Sequence, residues 1–294
     1  MGSYLGILFA FGALAGWGVG DFYIQRTSRN VGIWKSLFFI GVAGMVGLFP
    51  FIGNDFRTVL AQPRLLFLFF GALGPVVTLA ALANFWALKN GKISVVAPIT
   101  GMELPIAVGL SMLFAHERLD VVTFSLILVV FVGILLISVS GDRQKAAISR
   151  PELEKGVFFA LIGAFGLAAT NVLTGLGSRE TSPLFSIWFT HTFVSIVAGT
   201  YLIARRQLTS VVSDLVRYPT NIILQSVLDN AAWISFAYAT VFIPISVATA
   251  ISECFIILST VLGVVVGHER LRRHQIVGIA LAIVGIIFLS FVIY

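Results

Sequence analysis

One stretch of this sequence occurs twice. Residues 94–119 read SVVAPITGMELPIAVGLSMLFAHERL and residues 246–271 read SVATAISECFIILSTVLGVVVGHERL. They align without a gap at an offset of 152 residues in a chain of 294. Both open on Ser-Val, hold one glutamate (Glu103, Glu253) in a mostly apolar run, and close on His-Glu-Arg-Leu. A repeat of half the chain length inside strongly apolar sequence points to a duplicated bundle of membrane helices.

A second alignment carries the same message. Residues 6–29 match 156–179, with Gly6, Phe9, Ala10, Gly16, Ser28 and Arg29 facing Gly156, Phe159, Ala160, Gly166, Ser178 and Arg179. Apolar runs long enough to cross a hydrocarbon core of roughly 30 Å recur from end to end. Ten spans are expected, near 4–26, 32–52, 65–88, 94–115, 120–140, 153–176, 183–204, 219–241, 245–267 and 273–293. Five spans per half is an odd number, so the second half enters the membrane from the opposite side. The expected fold is therefore all-α and polytopic, ten transmembrane helices in two inverted five-helix repeats. The first repeat takes residues 1–140, the charged stretch 141–152 is the linker, and the second repeat takes 153–294.

Composition excludes the soluble classes. The chain is 58% hydrophobic and 11% charged, against about a quarter charged in soluble domains. A net charge of +6 does not point to nucleic acid, because the basic residues sit between apolar runs. Four of them (Arg57, Arg64, Arg118, Arg179) fall on the face where span one begins and the other fifteen on the opposite face. By the positive-inside rule the densely basic face is cytoplasmic and both termini lie outside, in what is expected to be the plasma (inner) membrane. The start of the chain lacks a basic n-region and is read as a span, not a cleaved signal. Cys254, the single cysteine, excludes an intramolecular disulfide and a cysteine zinc cluster.

Polar groups inside spans are the functional candidates, since each is costly in lipid unless it faces partners or water. Glu103 sits at mid-depth in span four between Pro98 and Pro105, which disturb the helix and free backbone carbonyls. Glu253 is its near-equivalent in span nine. Span eight carries Gln225, Asp229 and Trp233 at four-residue spacing on one face, with Asn230 and Tyr238 beside them. Asp21 in span one has Asn171 at its repeat-related position, and an ion pair with Arg26 is its structural alternative. Asn84 and Trp86 in span three point to different faces, and either is a lining candidate. His191 in span seven is a candidate proton relay, with packing as the alternative. The acids have few cationic partners at their depth, so proton exchange and recognition of a cationic or amine-bearing ligand both follow.

His-Glu-Arg-Leu lacks the second histidine of a zinc-protease helix and reads as a helix-end charge cluster. No metal, cofactor or catalytic nucleophile is indicated, and no enzyme activity is expected.

Ten spans in two repeats, Ala-Pro in span four, Glu-Arg-Leu closing spans four and nine, and Trp17-Gly18 followed by Asp21-Phe22 resemble the EamA-type branch of the drug/metabolite transporter superfamily. The resemblance implies alternating access through a central cavity lined by spans one, three, four, six, eight and nine. It also implies termini in the cytoplasm, the reverse of the charge bias. The expected function is secondary transport, without ATP, of a small metabolite such as an amino acid, amine or drug-like solute. Export is the expected direction, with proton coupling through Glu103 and Glu253. The alternatives are a sugar or nucleobase-like uptake permease and a lipid-linked substrate flippase. Expected partners are the substrate, protons and the bilayer, for a monomer or homodimer.

Overall fold

The computed structural model describes residues 2–90, 98–139, 150–267 and 271–292. Expectations that rest on 94–97, on most of the linker 141–152 or on the second His-Glu-Arg at 268–270 lie outside these residues.

The described chain is helical throughout, with no strand. In order it forms α1 (Gly2–Val31), α2 (Ile33–Leu48), the short α3 (Asp55–Ala61) and α4 (Pro63–Leu66), α5 (Gly74–Asn90), α6 (Glu103–Phe114) and α7 (Val121–Ser138). The second half forms α8 (Arg150–Glu180), α9 (Pro183–Ala204), α10 (Thr209–Arg217), α11 (Pro219–Phe242), α12 (Ile245–Ser252), α13 (Phe255–Gly267) and α14 (Arg273–Val292). α4 continues through a wider π-helical stretch, Phe67–Leu73, into α5. Among the described residues, eight helices are long and apolar enough to cross a membrane, and Pro98–Phe114 is a shorter apolar one. α11, 24 residues long, completes the ten expected spans; Gln225, Asp229 and Asn230 lower its hydropathy. α3 and α10 are additional short helices in the connections.

Helix pairing repeats across the two halves. α1 packs on α11 as α5 packs on α8, while α2 pairs with its own repeat mate α9 and α7 with α14. Small residues permit these approaches, which lipid does not drive. A methyl added at Gly16 would stand 2.7 Å from the Ala232 Cβ, and one at Gly166 2.7 Å from the Ala80 Cβ. The two contacts are repeat-related.

Repeat mates run in opposite directions. Trp34, near the start of α2, stacks on Tyr201 near the end of α9 at 4.0 Å between ring centroids. At the other end, Trp188 Nε1 donates to Met45 O at 3.0 Å. In the second pair, Gly278 meets Ile137 whereas Gly285, one turn and more along α14, meets Val130 of α7. Inversion of the repeat is thus visible in the packing.

Spans four and nine are both broken, and at repeat-related positions. Helix is interrupted at Gly101–Met102 and again at Glu253–Cys254. Pro105 falls in the first turn of α6, where its missing N–H would have lacked a partner anyway. Span nine breaks without a proline: Cys254 N bonds Ile251 O at 3.2 Å in a tightened turn. Both glutamates sit at these interruptions.

Candidate functional site

The two breaks meet at the centre of the bundle. Glu103, first residue of α6, and Glu253, between α12 and α13, bring their carboxyl groups within electrostatic reach of one another on the wall of one cavity. Two neighbouring carboxyl groups can hydrogen-bond to each other only when one of them carries a proton. Asn171 on α8 donates from Nδ2 to Glu103 Oε1 at 2.9 Å. The sequence repeat relates Asn171 to Asp21, and both face the same space.

That space is a cavity of about 140 Å³. Its walls carry four carboxyl groups: Asp21, Glu103, Asp229 and Glu253. Asp21 lies within electrostatic range of both Asp229 and Glu253. His191 Nε2 stands 3.4 Å from Asp229 Oδ2, while Nδ1 is 2.9 Å from Ile187 O. With Nδ1–H donating to that carbonyl, a hydrogen bond to Asp229 takes a second proton. Among the described residues no lysine or arginine lines the cavity. Among the described residues no group of three His, Cys, Asp or Glu side chains is placed to hold a metal ion.

The remaining walls are aromatic, apolar and hydroxylic. Trp17, one turn before Asp21 on α1, meets Trp233 edge-on at 5.0 Å and Phe255 at 6.4 Å between ring centroids. Phe85 and Asn84 close one side, and Thr170, Thr174 and Thr190 present hydroxyl-bearing side chains. An apolar cavity of about this volume holds a ligand roughly the size of benzene.

Of the side chains singled out from sequence, Glu103, Glu253, Asp229, Trp233, Asn84, Asp21, Asn171 and His191 line this cavity. Gln225, Trp86 and Tyr238 do not. Gln225 accepts from Ser36 Oγ at 2.8 Å and donates to Ser36 O at 3.3 Å, binding α11 to α2 one turn away from the cavity. Trp86 packs on Phe159 at 4.2 Å and Tyr238 stacks on Phe9 at 5.0 Å. The helical period explains the last two: Trp86 is about 200° around from Asn84, and Tyr238 about 180° from Asp229. Asp21 and Arg26 do not pair, since the Arg26 guanidinium lies over the Phe22 ring at 4.3 Å. Phe255 and Thr174 were missed. Phe255 occupies the repeat position of Glu103, so the duplication itself held the signal.

Glu117, from the first His-Glu-Arg-Leu, ties helix ends together on the sparsely basic face. Its Oε1 accepts from Ile245 N at 2.5 Å and its Oε2 from Ser246 N at 3.1 Å and Ser246 Oγ at 2.8 Å, capping α12. Arg179 at the end of α8 bonds Glu117 at 3.1 Å, Thr240 O at 2.7 Å and Ile243 O at 3.2 Å. Four helices are latched by two side chains.

The model of the EamA-like transporter family matches residues 4–139 and again 154–291. The chain belongs to the EamA-like transporter family. Membership makes it a multi-pass membrane protein of a family that transports small solutes. An uncharacterized protein of Methanocaldococcus jannaschii is 25% identical over 124 residues, covering 42% of this chain and 89% of its own length. That relative is thus about half as long as this EamA-like chain. A solved crystal structure superposes with a TM-score of 0.74 at 16% identity, covering 98% of this chain and 97% of its own. At that identity the likeness concerns the fold alone.

Proposed function

We propose that this protein is a secondary transporter that exchanges protons for a small amine-bearing or otherwise cationic solute by alternating access. The observation that carries the reading is the wall of four carboxyl groups around an aromatic cavity with no lysine or arginine among its described lining residues. An ammonium group gains from the carboxylates and from the indole faces of Trp17 and Trp233. Protons and cation then compete for the same oxygens. A protonated Glu103–Glu253 pair holds the cation poorly, and a cation seated on ionised carboxylates displaces the proton. Competition for one site is sufficient for exchange, with no ATP. Charge bias supports cytoplasmic placement of the densely basic face, hence export as the working direction; a reporter fused after residue 294 and active only in the cytoplasm refutes that orientation.

The test is charge movement in proteoliposomes challenged separately with pools of amines, amino acids, sugars and nucleosides, with and without a pH gradient. The expected result is a gradient-dependent signal with the amine pool that Glu103→Gln abolishes. A signal with neutral sugars or nucleosides that Glu103→Gln leaves unchanged at every pH refutes proton–amine exchange. It favours instead the uptake reading, for which Asn84 and the two tryptophans would supply amide and stacking contacts.

A further inference from the structure

Three buried hydroxyl groups on α8 and α12 have no hydrogen-bond partner: those of Thr174, Ser178 and Thr249. Their residues are at most 2% exposed. Backbone acceptors are within reach in both helices, because neighbouring side chains use them. Thr170 Oγ1 donates to Gly166 O at 2.8 Å, Thr181 Oγ1 to Gly177 O at 2.8 Å, and Ser252 Oγ to Thr249 O at 3.1 Å. Unpaired hydroxyls in a dry protein interior are rare, and ordered water is their usual partner.

The three groups belong to two rows, one on each helix. Asn171, Thr174 and Ser178 share a face of α8 at spacings of three and four, and Ser246, Thr249 and Glu253 repeat that spacing from α12 into its break. Both ends of these rows are pinned. At the inner end Asn171 bonds Glu103, which shares the cavity wall with Glu253. At the outer end Glu117 accepts from Ser246 and pairs with Arg179, the residue after Ser178. Between them the helices come close, for a methyl added at Gly175 would lie 2.6 Å from Ile245 Cδ1. Seven residues of helix make a length of about 10 Å, which about three waters bonded to three hydroxyls can bridge.

We propose that this hydroxyl file conducts protons between the Glu103–Glu253 pair and the sparsely basic face, emerging beside the Glu117–Arg179 latch. The proposal rests on the proton-coupling reading above and gives it a route. No covalent bond other than O–H changes: each proton hops from a donor oxygen to the next acceptor, and one proton leaves the far end for each that enters. The repeat-related helix also holds unpaired hydroxyls, at Thr27 and Ser28, but lacks the central one. There Asn171, Thr174 and Ser178 correspond to Asp21, Ile24 and Ser28, and Ile24 replaces the central hydroxyl by an alkyl group. Cavity residues Leu37, Ile40 and Asn84 lie in the halves of α2 and α5 nearer the densely basic face. The file would thus reach the acids from the side opposite those cavity residues, with Thr174 at the junction of file and cavity.

Infrared spectroscopy tests the file without knowledge of the solute. The reconstituted full-length protein is transferred to heavy water, and the protonated-carboxyl C=O band that disappears in Glu103→Gln is followed as it shifts on deuteration. Thr174→Val and Thr249→Val keep the side-chain shape and remove the hydroxyl. With heavy water supplied only to the sparsely basic side of sealed, oriented vesicles, each is expected to slow the shift about tenfold or more, while Thr174→Ser exchanges like the parent. The two valine variants probe the file from facing helices, so neither alone decides the outcome. Unchanged exchange in both overturns the file and leaves proton coupling standing. Absence of any carboxyl band sensitive to Glu103→Gln overturns the protonated Glu103–Glu253 pair, and with it both the coupling and its route.

Discussion

Replacing Glu117 by glutamine should open the sparsely basic face. The carboxylate uses both oxygens, its side chain is 7% exposed, and its four donors come from α12 and Arg179. An amide keeps one acceptor oxygen and turns an N–H₂ group toward existing donors. Ser246 Oγ can reverse its role and accept, but Ser246 N–H or Ile245 N–H loses its partner whichever way the amide is turned. The Arg179 guanidinium also loses its counter-charge. One charge-assisted bond is worth about 1.5–3 kcal/mol. Allowing for the reversed serine, Glu117→Gln should weaken the closed state by about 3 kcal/mol, a shift of about 100-fold between closed and open populations. Double electron–electron resonance between labels at Phe114→Cys and Phe242→Cys reads this directly, because both sites are exposed beside the latch. The parent should give one short distance and Glu117→Gln a second, longer one. Arg64→Ala is the control: its ion pair with Glu180 is 81% and 38% exposed and should matter little. An unchanged distance distribution in Glu117→Gln refutes the latch as the element that holds this face shut.

Other expectations follow from packing and capping. Gly16→Ala and Gly166→Ala should each destabilise the bundle by about 1–3 kcal/mol, and to a similar degree, because both place a methyl 2.7 Å from an alanine Cβ. Gly47→Ala, with nothing within 4 Å, should leave the thermal midpoint in detergent unchanged. Gln225→Leu strands the Ser36 hydroxyl and should cost about 1–3 kcal/mol in thermal unfolding, yet leave solute selectivity intact, since Gln225 lies away from the cavity. Asp120 caps α7, and hydrogen bonds from Thr123 N–H, the Thr123 hydroxyl and Val122 N–H hold its carboxyl below the usual aspartate range. Its stabilising contribution is complete above the unfolded-chain value of about 3.9 and is lost as pH falls through the lower folded value. Asp120→Ala should therefore lower the thermal midpoint at neutral pH, with the gap closing only under strongly acidic conditions.

The bundle was legible in the sequence because its cause is local. A helix must satisfy its own backbone in lipid, so each span declares itself by length and hydropathy, and the odd count per half imposes inversion. Mid-span acids were equally legible, because lipid makes each one conspicuous. Even the second break had a trace: Glu253 and Gly101 share a repeat position, although no proline marks span nine.

Which acids meet was decided by the tertiary structure. Glu103 and Glu253 belong to different repeats and share one cavity because the two broken helices abut, and Asp229 reaches His191 because α9 and α11 pack side by side. Span eight shows the limit most plainly. Periodicity places Gln225, Asp229 and Trp233 on one face, but it does not say what stands opposite each turn. α2 stands beside Gln225 and makes it a tie between helices; the cavity opens beside Asp229 and Trp233. Sequence periodicity fixes the angle of a side chain about its own helix axis. What that side chain faces depends on how closely neighbouring glycines and alanines let the other axes approach, and that spacing exists only in the assembled bundle.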